Sequence, residues 1–210
     1  CIIGSFLNVC VYRIPRNQTV VSTPSHCPSC ETHISWYDNI PLLSYIFLRG
    51  KCRSCRKAIS PRYPIVEGMT GALFLLIYLR FGPSLESAAY SLLASLLIIS
   101  SFIDLEKDDE GQLYMMIPDL VTVPGAAAGV LLSMALSGIT LIESLMGLIV
   151  GGGALYLVMR IAPLFMNRGG ARVEVMGEGD TKLAAMMGAF LGWEMVLVGL
   201  YLGIILGAVV

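Results

Sequence analysis

Four cysteines in two pairs carry the most specific chemistry in this sequence. Cys27 and Cys30 stand in HCPSC, Cys52 and Cys55 in KCRSC, and 21 residues separate the pairs. A Cys-x-x-Cys turn presents two sulfurs on one side of a tight loop. Two such turns complete a tetrahedral four-thiolate shell, a preferred environment of structural zinc. Four thiolates leave no open position for a catalytic water, so the expected role of Zn2+ here is structural. His26 and His33 flank the set as alternative ligands, and four unligated thiols are the remaining reading. A basic zinc ribbon can also bind nucleic acid, and Trp36, Tyr37, Tyr45 and Phe47 could stack on bases. Those aromatics sit among aliphatic residues, which points to loop core or membrane contact, and no nucleic-acid partner is expected.

Four carboxylates form the second set. Asp104 closes the apolar run SLLIISSFID, Asp119 follows Pro118 in MMIPDLVTVPG, Asp180 stands in GEGDTKLAAMMG, and Glu67 stands in PIVEGMTG. Ionisable groups at membrane depth are costly and point to function. Each has a structural alternative of different strength. Asp119 and Asp180 suit helix N-caps, where an Asp side chain accepts free backbone N–H groups. Glu67, read as lying in the first turn of a span, is favoured there by the helix dipole. Asp104 at a helix C-terminus is disfavoured by that dipole, so function is its best explanation. Asp180 is preceded by Gly177 and Gly179, which let backbone and ligand approach closely. Two carboxylates brought together repel, so that one stays protonated while the other acts as a base. Such a pair can activate water and polarise a carbonyl, as in aspartic proteases.

The elements that must position these groups are apolar. Of 210 residues, 56% are hydrophobic and only 14% charged, whereas a soluble domain carries about 25% charged residues. Apolar runs predict spans near 1–12, 65–81, 86–103, 117–137, 139–162, 181–193 and 194–210. Both terminal runs are read as incomplete against the ~20 residues a span needs. Gly151, Gly152 and Gly153 fall inside a span, where small residues allow close helix packing. Residues 13–62 hold eight basic residues against Glu31 and Asp38, which places that stretch in the cytoplasm by the positive-inside rule. Threading from there puts 104–117 and 163–180 on the same side, together with all four carboxylates. Arg80 is the one basic residue in the other turns. The expected fold is an all-α polytopic membrane protein of about seven to eight transmembrane helices with a cytoplasmic zinc-binding loop. Its divisions are 1–12, a partial first helix; 13–64, the tetracysteine loop; and 65–210, the transmembrane core.

Taken together, GSFLNVCVYRIP, HCPSC, DNIPLLSYIFLRGKCRSC, PRYPIVEGMTG, FIDLE, IPDLVTVPG and GEGDTKLAAMMGAFLGW resemble the bacterial type IV prepilin peptidases, membrane aspartyl proteases of the GxGD class. The resemblance runs the length of the chain. It implies cleavage of the leader of prepilins or type II secretion pseudopilins on the cytoplasmic side of the inner membrane, followed by N-methylation of the new N-terminal residue from S-adenosylmethionine. It also implies that the catalytic pair is Asp104 and Asp180. The stretch from Asp104 to Pro118 is longer than the family's pattern, with KDDEGQLY inserted, so Asp108 and Asp109 are alternatives to Asp104. Asp104 is preferred because it directly ends a span. The sequence lacks the strand, glycine-rich turn and helix of a nucleotide-fold methyltransferase. A methyl-donor site would therefore be built from the cytoplasmic loop and helix ends, with Glu67 a candidate by its place in PIVEG. A zinc-pinned loop would give the substrate helix a rigid surface beside the two aspartates, and its basic residues would lie among anionic lipid headgroups. Two other readings compete: a membrane-anchored zinc-ribbon binding module, for which both aspartates are dispensable, and a proton-coupled transporter, which would want charges at mid-membrane rather than at span ends.

Overall fold

Proline and glycine punctuation, with short polar caps, sets the helix boundaries. Pro61 precedes α3 (Arg62–Phe81), and Gly82, with φ +64°, ends it by donating its N–H to the Tyr78 carbonyl at 2.7 Å. Only glycine adopts that conformation without steric cost. Ser84 then caps α4 (Leu85–Asp104), its Oγ accepting the Ser87 N–H at 3.2 Å. Thr140 and Glu143 form a reciprocal capping box at the start of α6 (Leu141–Met166): the Glu143 N–H donates to Thr140 Oγ1 at 3.2 Å, and the Thr140 N–H donates to Glu143 Oε2 at 2.8 Å. The remaining helices are α1 (Ile2–Arg13), the short α2 (Leu43–Phe47), α5 (Asp119–Ser133) and α7 (Glu178–Val209), with a single 3-10 turn at Trp36–Asn39.

The structure is a computed structural model that describes residues 2–20, 26–27, 29–106, 111–166 and 177–209. Among them are seven α-helices and, in place of strands, two isolated β-bridges. The fold is all-α, as the apolar runs predict. Four helices are long and apolar enough to cross a membrane: Arg62–Phe81, Leu85–Asp104, Leu141–Pro163 and Glu178–Gly207. This differs from the expected seven to eight in two ways. α1 and α5 are apolar but shorter than a span. The predicted spans 181–193 and 194–210 run on as one element, α7, broken inside at Gly192 (φ 78°, ψ 172°). Polarity is inverted relative to a soluble protein: Asn8, Thr70, Thr122 and Ser144 are buried, while α3 turns Leu75, Leu76 and Leu79 outward. Hydrocarbon is the solvent that suits such a surface.

The chain divides into two compact units, Cys1–Gly82 with Leu97–Met115, and Pro83–Leu96 with Met116–Val210; the division falls within α4. In the first unit, α1 crosses α3 at Gly4, where a Cβ would stand 2.8 Å from the Glu67 Cα. Asn8 Nδ2 donates to the Tyr63 carbonyl at 3.1 Å across the same crossing.

In the second unit, α7 packs on α5 and α6 through small residues. Gly147 and Gly188 lie backbone to backbone, so that a Cβ on either would overlap the other's carbonyl. Ser144 Oγ donates to the Ala189 carbonyl at 2.7 Å beside that crossing. Between helices in lipid, close packing and such hydrogen bonds replace the hydrophobic effect as the source of association. The small-residue reading of the glycine run holds for Gly151 and Gly152, which meet Ala184 and Ala185, whereas a Cβ on Gly153 would meet nothing within 4 Å among the described residues. Gly188→Ala is expected to cost about 3 kcal/mol, the upper end for overpacking, because both obstructing atoms are backbone. Gly153→Ala should be neutral. Thermal unfolding of the detergent-purified variants checks both, and equal midpoints would overturn the crossing.

Candidate metal centre and membrane carboxylates

The four cysteines come together. Their Sγ atoms all lie within 4.8 Å of one another, with Cys27 and Cys55 at 3.9 Å. A tetrahedral zinc with bonds of about 2.3 Å requires sulfurs about 3.8 Å apart, so the set fits that ion. The two knuckles repeat one local design. In each, the first cysteine donates its N–H to a carbonyl five residues on: Cys27 to Thr32 at 3.0 Å and Cys52 to Lys57 at 2.9 Å. In each, the residue after the second cysteine has positive φ (Glu31 at 55°, Arg56 at 61°) and donates back to the first cysteine's carbonyl. A β-bridge closes each turn, His26 with His33 and Lys51 with Ala58. The two histidines are thus partners at the base of the first knuckle, and the ligand set among the described residues is the four cysteines alone.

Hydrogen bonding from Thr32 holds the Cys30 thiol down to about 6. Backbone N–H groups of Cys55 and Ser54 hold Cys52 below the usual thiol range. The Lys57 N–H favours the Cys55 thiolate, yet burial and the neighbouring thiols push Cys55 up to about 11. Four sulfurs this close do not all ionise without a cation among them. Arg53, inside the second knuckle, forks onto Asp38 with N–O distances of 2.7 and 2.6 Å. It thereby ties that knuckle to the 3-10 turn and holds the Asp38 carboxyl below its ordinary range.

The carboxylates fall in both units. In the first, Asp104 is the final residue of α4, as its place at the end of an apolar run predicts, and it is half-buried. The chain leaves the helix and returns beside it: the Tyr114 N–H donates to the Glu106 carbonyl at 2.9 Å and the Met115 N–H to the Asp104 carbonyl at 3.3 Å. Asp108 and Asp109 lie outside the described residues.

Glu106, two residues beyond Asp104, was not singled out by sequence reasoning. It gathers two arginines, Arg16 at 3.4 Å and Arg62, with all three side chains 12–14% exposed. Arg16 also lies over the Tyr12 ring, 4.1 Å from its centroid. Partners ninety positions apart leave no trace in periodicity; the only signal was a glutamate in FIDLE facing an arginine-rich segment. Glu106→Gln leaves two guanidiniums sharing no carboxylate at this point. The expected cost is about 3 kcal/mol, the lower end for a buried ion pair losing one partner. Chemical denaturation in detergent measures it, and a variant within 0.5 kcal/mol of wild type, the spread of an ordinary surface change, would rule the clamp out.

Glu67 is buried and is the sixth residue of α3, because the helix begins at Arg62. The expectation of a first-turn glutamate steadied by the dipole is therefore corrected. Its Oε2 accepts the N–H of Leu42 at 2.9 Å. Leu42 has φ 61° and ψ −48°, a conformation that side-chain-bearing residues rarely adopt. A strained loop residue is thus pinned by a carboxylate from the helix beneath it.

In the second unit, Asp180 is the third residue of α7, and Asp119 is the first of α5, one position past the N-cap Pro118, so the capping reading of Asp119 is corrected. Asp119 instead receives Lys182 Nζ on both oxygens, at 2.6 and 2.8 Å, which joins the starts of α5 and α7. Gly179 is pressed on Ile117, where a Cβ would come within 2.8 Å of the isoleucine Cβ, whereas among the described residues a Cβ on Gly177 would meet Asp180 Oδ2 and the Gly179 nitrogen, both at 3.9 Å. Gly179 therefore serves packing.

Fold and site together define an all-helical membrane protein with a tetrathiolate knuckle and carboxylates at the ends of its long helices. Family models match almost the whole chain: the bacterial peptidase A24 N-terminal domain over residues 1–81 and the type IV leader peptidase family over residues 91–210. The chain belongs to the type IV leader peptidase family. It is 40% identical over 208 residues to a prepilin leader peptidase/N-methyltransferase of Myxococcus xanthus, covering 99% of this chain and 58% of that protein. It is 36% identical over 197 residues to the protein of that name from Klebsiella pneumoniae, covering 91% and 81% of the two. With the Neisseria gonorrhoeae protein of that name it is 31% identical over 232 residues, covering 99% and 77%. No solved structure matches.

Proposed function

We propose that this chain is a membrane aspartyl endopeptidase and N-methyltransferase. It removes the leader of type IV prepilins or type II secretion pseudopilins and methylates the new N-terminal residue. The observation that carries the reading is the placement of Asp104 and Asp180 at the ends of two span-length helices in a chain of the type IV leader peptidase family. The work is done at the cytoplasmic face of the bacterial inner membrane, a placement supported by the basic residues of segment 13–62.

The two aspartates act as a pair. One, ionised, takes a proton from water; the other, protonated, donates a hydrogen bond to the scissile carbonyl oxygen. Cys27, Cys30, Cys52 and Cys55 hold Zn2+, which in a closed thiolate shell pins the loop and takes no part in the chemistry. The basic side chains of that loop rest among anionic headgroups. S-adenosylmethionine supplies an activated methyl group when bound, with Glu67 among the residues that hold it.

The test is direct. Detergent-purified, zinc-loaded protein is incubated with a prepilin, and the pilin N-terminus is read by mass spectrometry. A cleaved N-terminus, 14 mass units heavier when S-adenosylmethionine is present, is expected from one added CH2. An intact prepilin after incubation with folded protein would overturn the reading.

A further inference from the structure

The first unit forms an open-sided cavity of about 870 Å3 between the knuckle loop and the ends of α1, α3 and α4. We propose that this cavity is the methyl-donor site, with Arg62 at the donor's carboxylate and Glu67 at its ribose hydroxyls. The inference rests on the methyltransferase reading above.

Volume is the first argument. Cofactor sites run from about 300 to 1,000 Å3, so the cavity suits a ligand the size of a nucleoside bearing an amino-acid tail. The wall is the second. Arg62 and Glu67 both line the cavity, which therefore presents cationic donors and an anionic acceptor in one space. The methyl donor asks for both, since it has a carboxylate at one end and a diol on its sugar. Arg62 gives a terminal nitrogen to Glu106, but its buried Nε has no hydrogen-bond partner among the described residues. An unpaired buried N–H is costly, and a ligand carboxylate removes that cost. Glu67 spends two of about four acceptor positions, on the Leu42 N–H and the Ser5 hydroxyl, which leaves others for the donor's hydroxyls. Third, the rings of Tyr12 and Tyr45 belong to the same wall and offer flat faces for a purine. A phospholipid headgroup has no use for those faces.

With the donor in place, the free amine of the cleaved pilin attacks the methyl carbon. The carbon–sulfur bond breaks, its electron pair stays on sulfur, and the methylated ammonium loses a proton to water. The residues of the cavity hold the donor and need supply no acid or base.

Two measurements test the assignment without relying on turnover. Binding of S-adenosylhomocysteine to the purified full chain is followed by calorimetry. Radiolabelled S-adenosylmethionine is then cross-linked by ultraviolet light and the labelled peptides are mapped. Label is expected within residues 2–20 or 42–67. Glu67→Gln, which keeps an acceptor for Leu42, should weaken binding about tenfold. Leu48→Trp, which fills the cavity from a wall residue outside both cysteine knuckles and leaves every charge in place, should weaken it at least as much while zinc content and leader cleavage persist. Label confined to residues 116–209, or wild-type binding by both variants, would overturn the cavity assignment alone. A wild-type protein that cleaves prepilin but binds no S-adenosylhomocysteine would instead remove the methyltransferase reading, and the cavity assignment with it.

Discussion

Asp180→Asn and Asp104→Asn proteins, each folded and zinc-loaded, are expected to cleave no prepilin leader, with rates at least 10^4-fold below wild type, and the double variant should be no worse than either single one. Residues that act as one unit are non-additive in this way. Asn keeps the shape of the side chain but can neither take the proton from water nor share one with its partner. Because the two groups titrate together, the pH profile of cleavage should be a bell whose limbs belong to the pair rather than to either residue. Asp119→Asn is the control. It loses the charge facing Lys182, an exposed pair worth about 0–1 kcal/mol, and should keep leader cleavage within a few-fold of wild type. Asp108→Asn and Asp109→Asn should be nearly silent. Cleavage retained by folded Asp104→Asn and lost in either of those two would move the first catalytic role into the inserted segment. Methylation offers a second readout: Asp180→Asn should still methylate a pre-cleaved pilin, since methyl transfer needs no carboxylate pair.

Removing the metal should have the second largest effect, and on stability rather than chemistry. Purified protein is expected to carry about one zinc per chain, and Cys27→Ser or Cys52→Ser to carry almost none. Structural zinc contributes on the order of 10 kcal/mol to small cysteine-rich folds. Among the described residues of the knuckle segment, Ile46 and Phe47 of α2 are exposed, and the Arg53–Asp38 fork and the Leu42–Glu67 bond help to fix it. Limited proteolysis should therefore cut the zinc-free protein between residues 26 and 60 while the membrane helices stay intact. A zinc-free protein with an equally resistant loop would contradict the site. The fork adds a pH dependence of known sign. Asp38 is held below its ordinary range, so its contribution is present at neutral pH and is lost as pH falls through its folded value, below the usual carboxylate range.

How much of this was legible in the sequence follows from how local each feature is. The four cysteines were readable because each pair spans three residues and carries its own turn. The long helices were readable because hydrocarbon selects unbroken apolar runs. Helix starts were less so. The apolar run suggested a beginning at 65, but the helix starts at Arg62, since the first turn of a helix needs no proline N–H and accommodates Pro64; that shift moved Glu67 out of the first turn. Asp119 had the sequence of a cap, yet Lys182, 63 positions away, claims its carboxylate. The Arg16–Glu106–Arg62 clamp and the Leu42–Glu67 bond join distant segments, and no local pattern encodes such pairings.

The break at Gly192 makes α7 two rods rather than one. The first, which carries Asp180, is packed on α5 and α6 along Met186, Ala189 and Phe190; the far end of the second exposes Tyr201, Ile204 and Leu206. An unbroken helix meets a change in bilayer thickness by tilting along its whole length. Hydrophobic mismatch is therefore expected to be taken up beyond the break, which would insulate the angle at which Asp180 is presented from the thickness of the lipid.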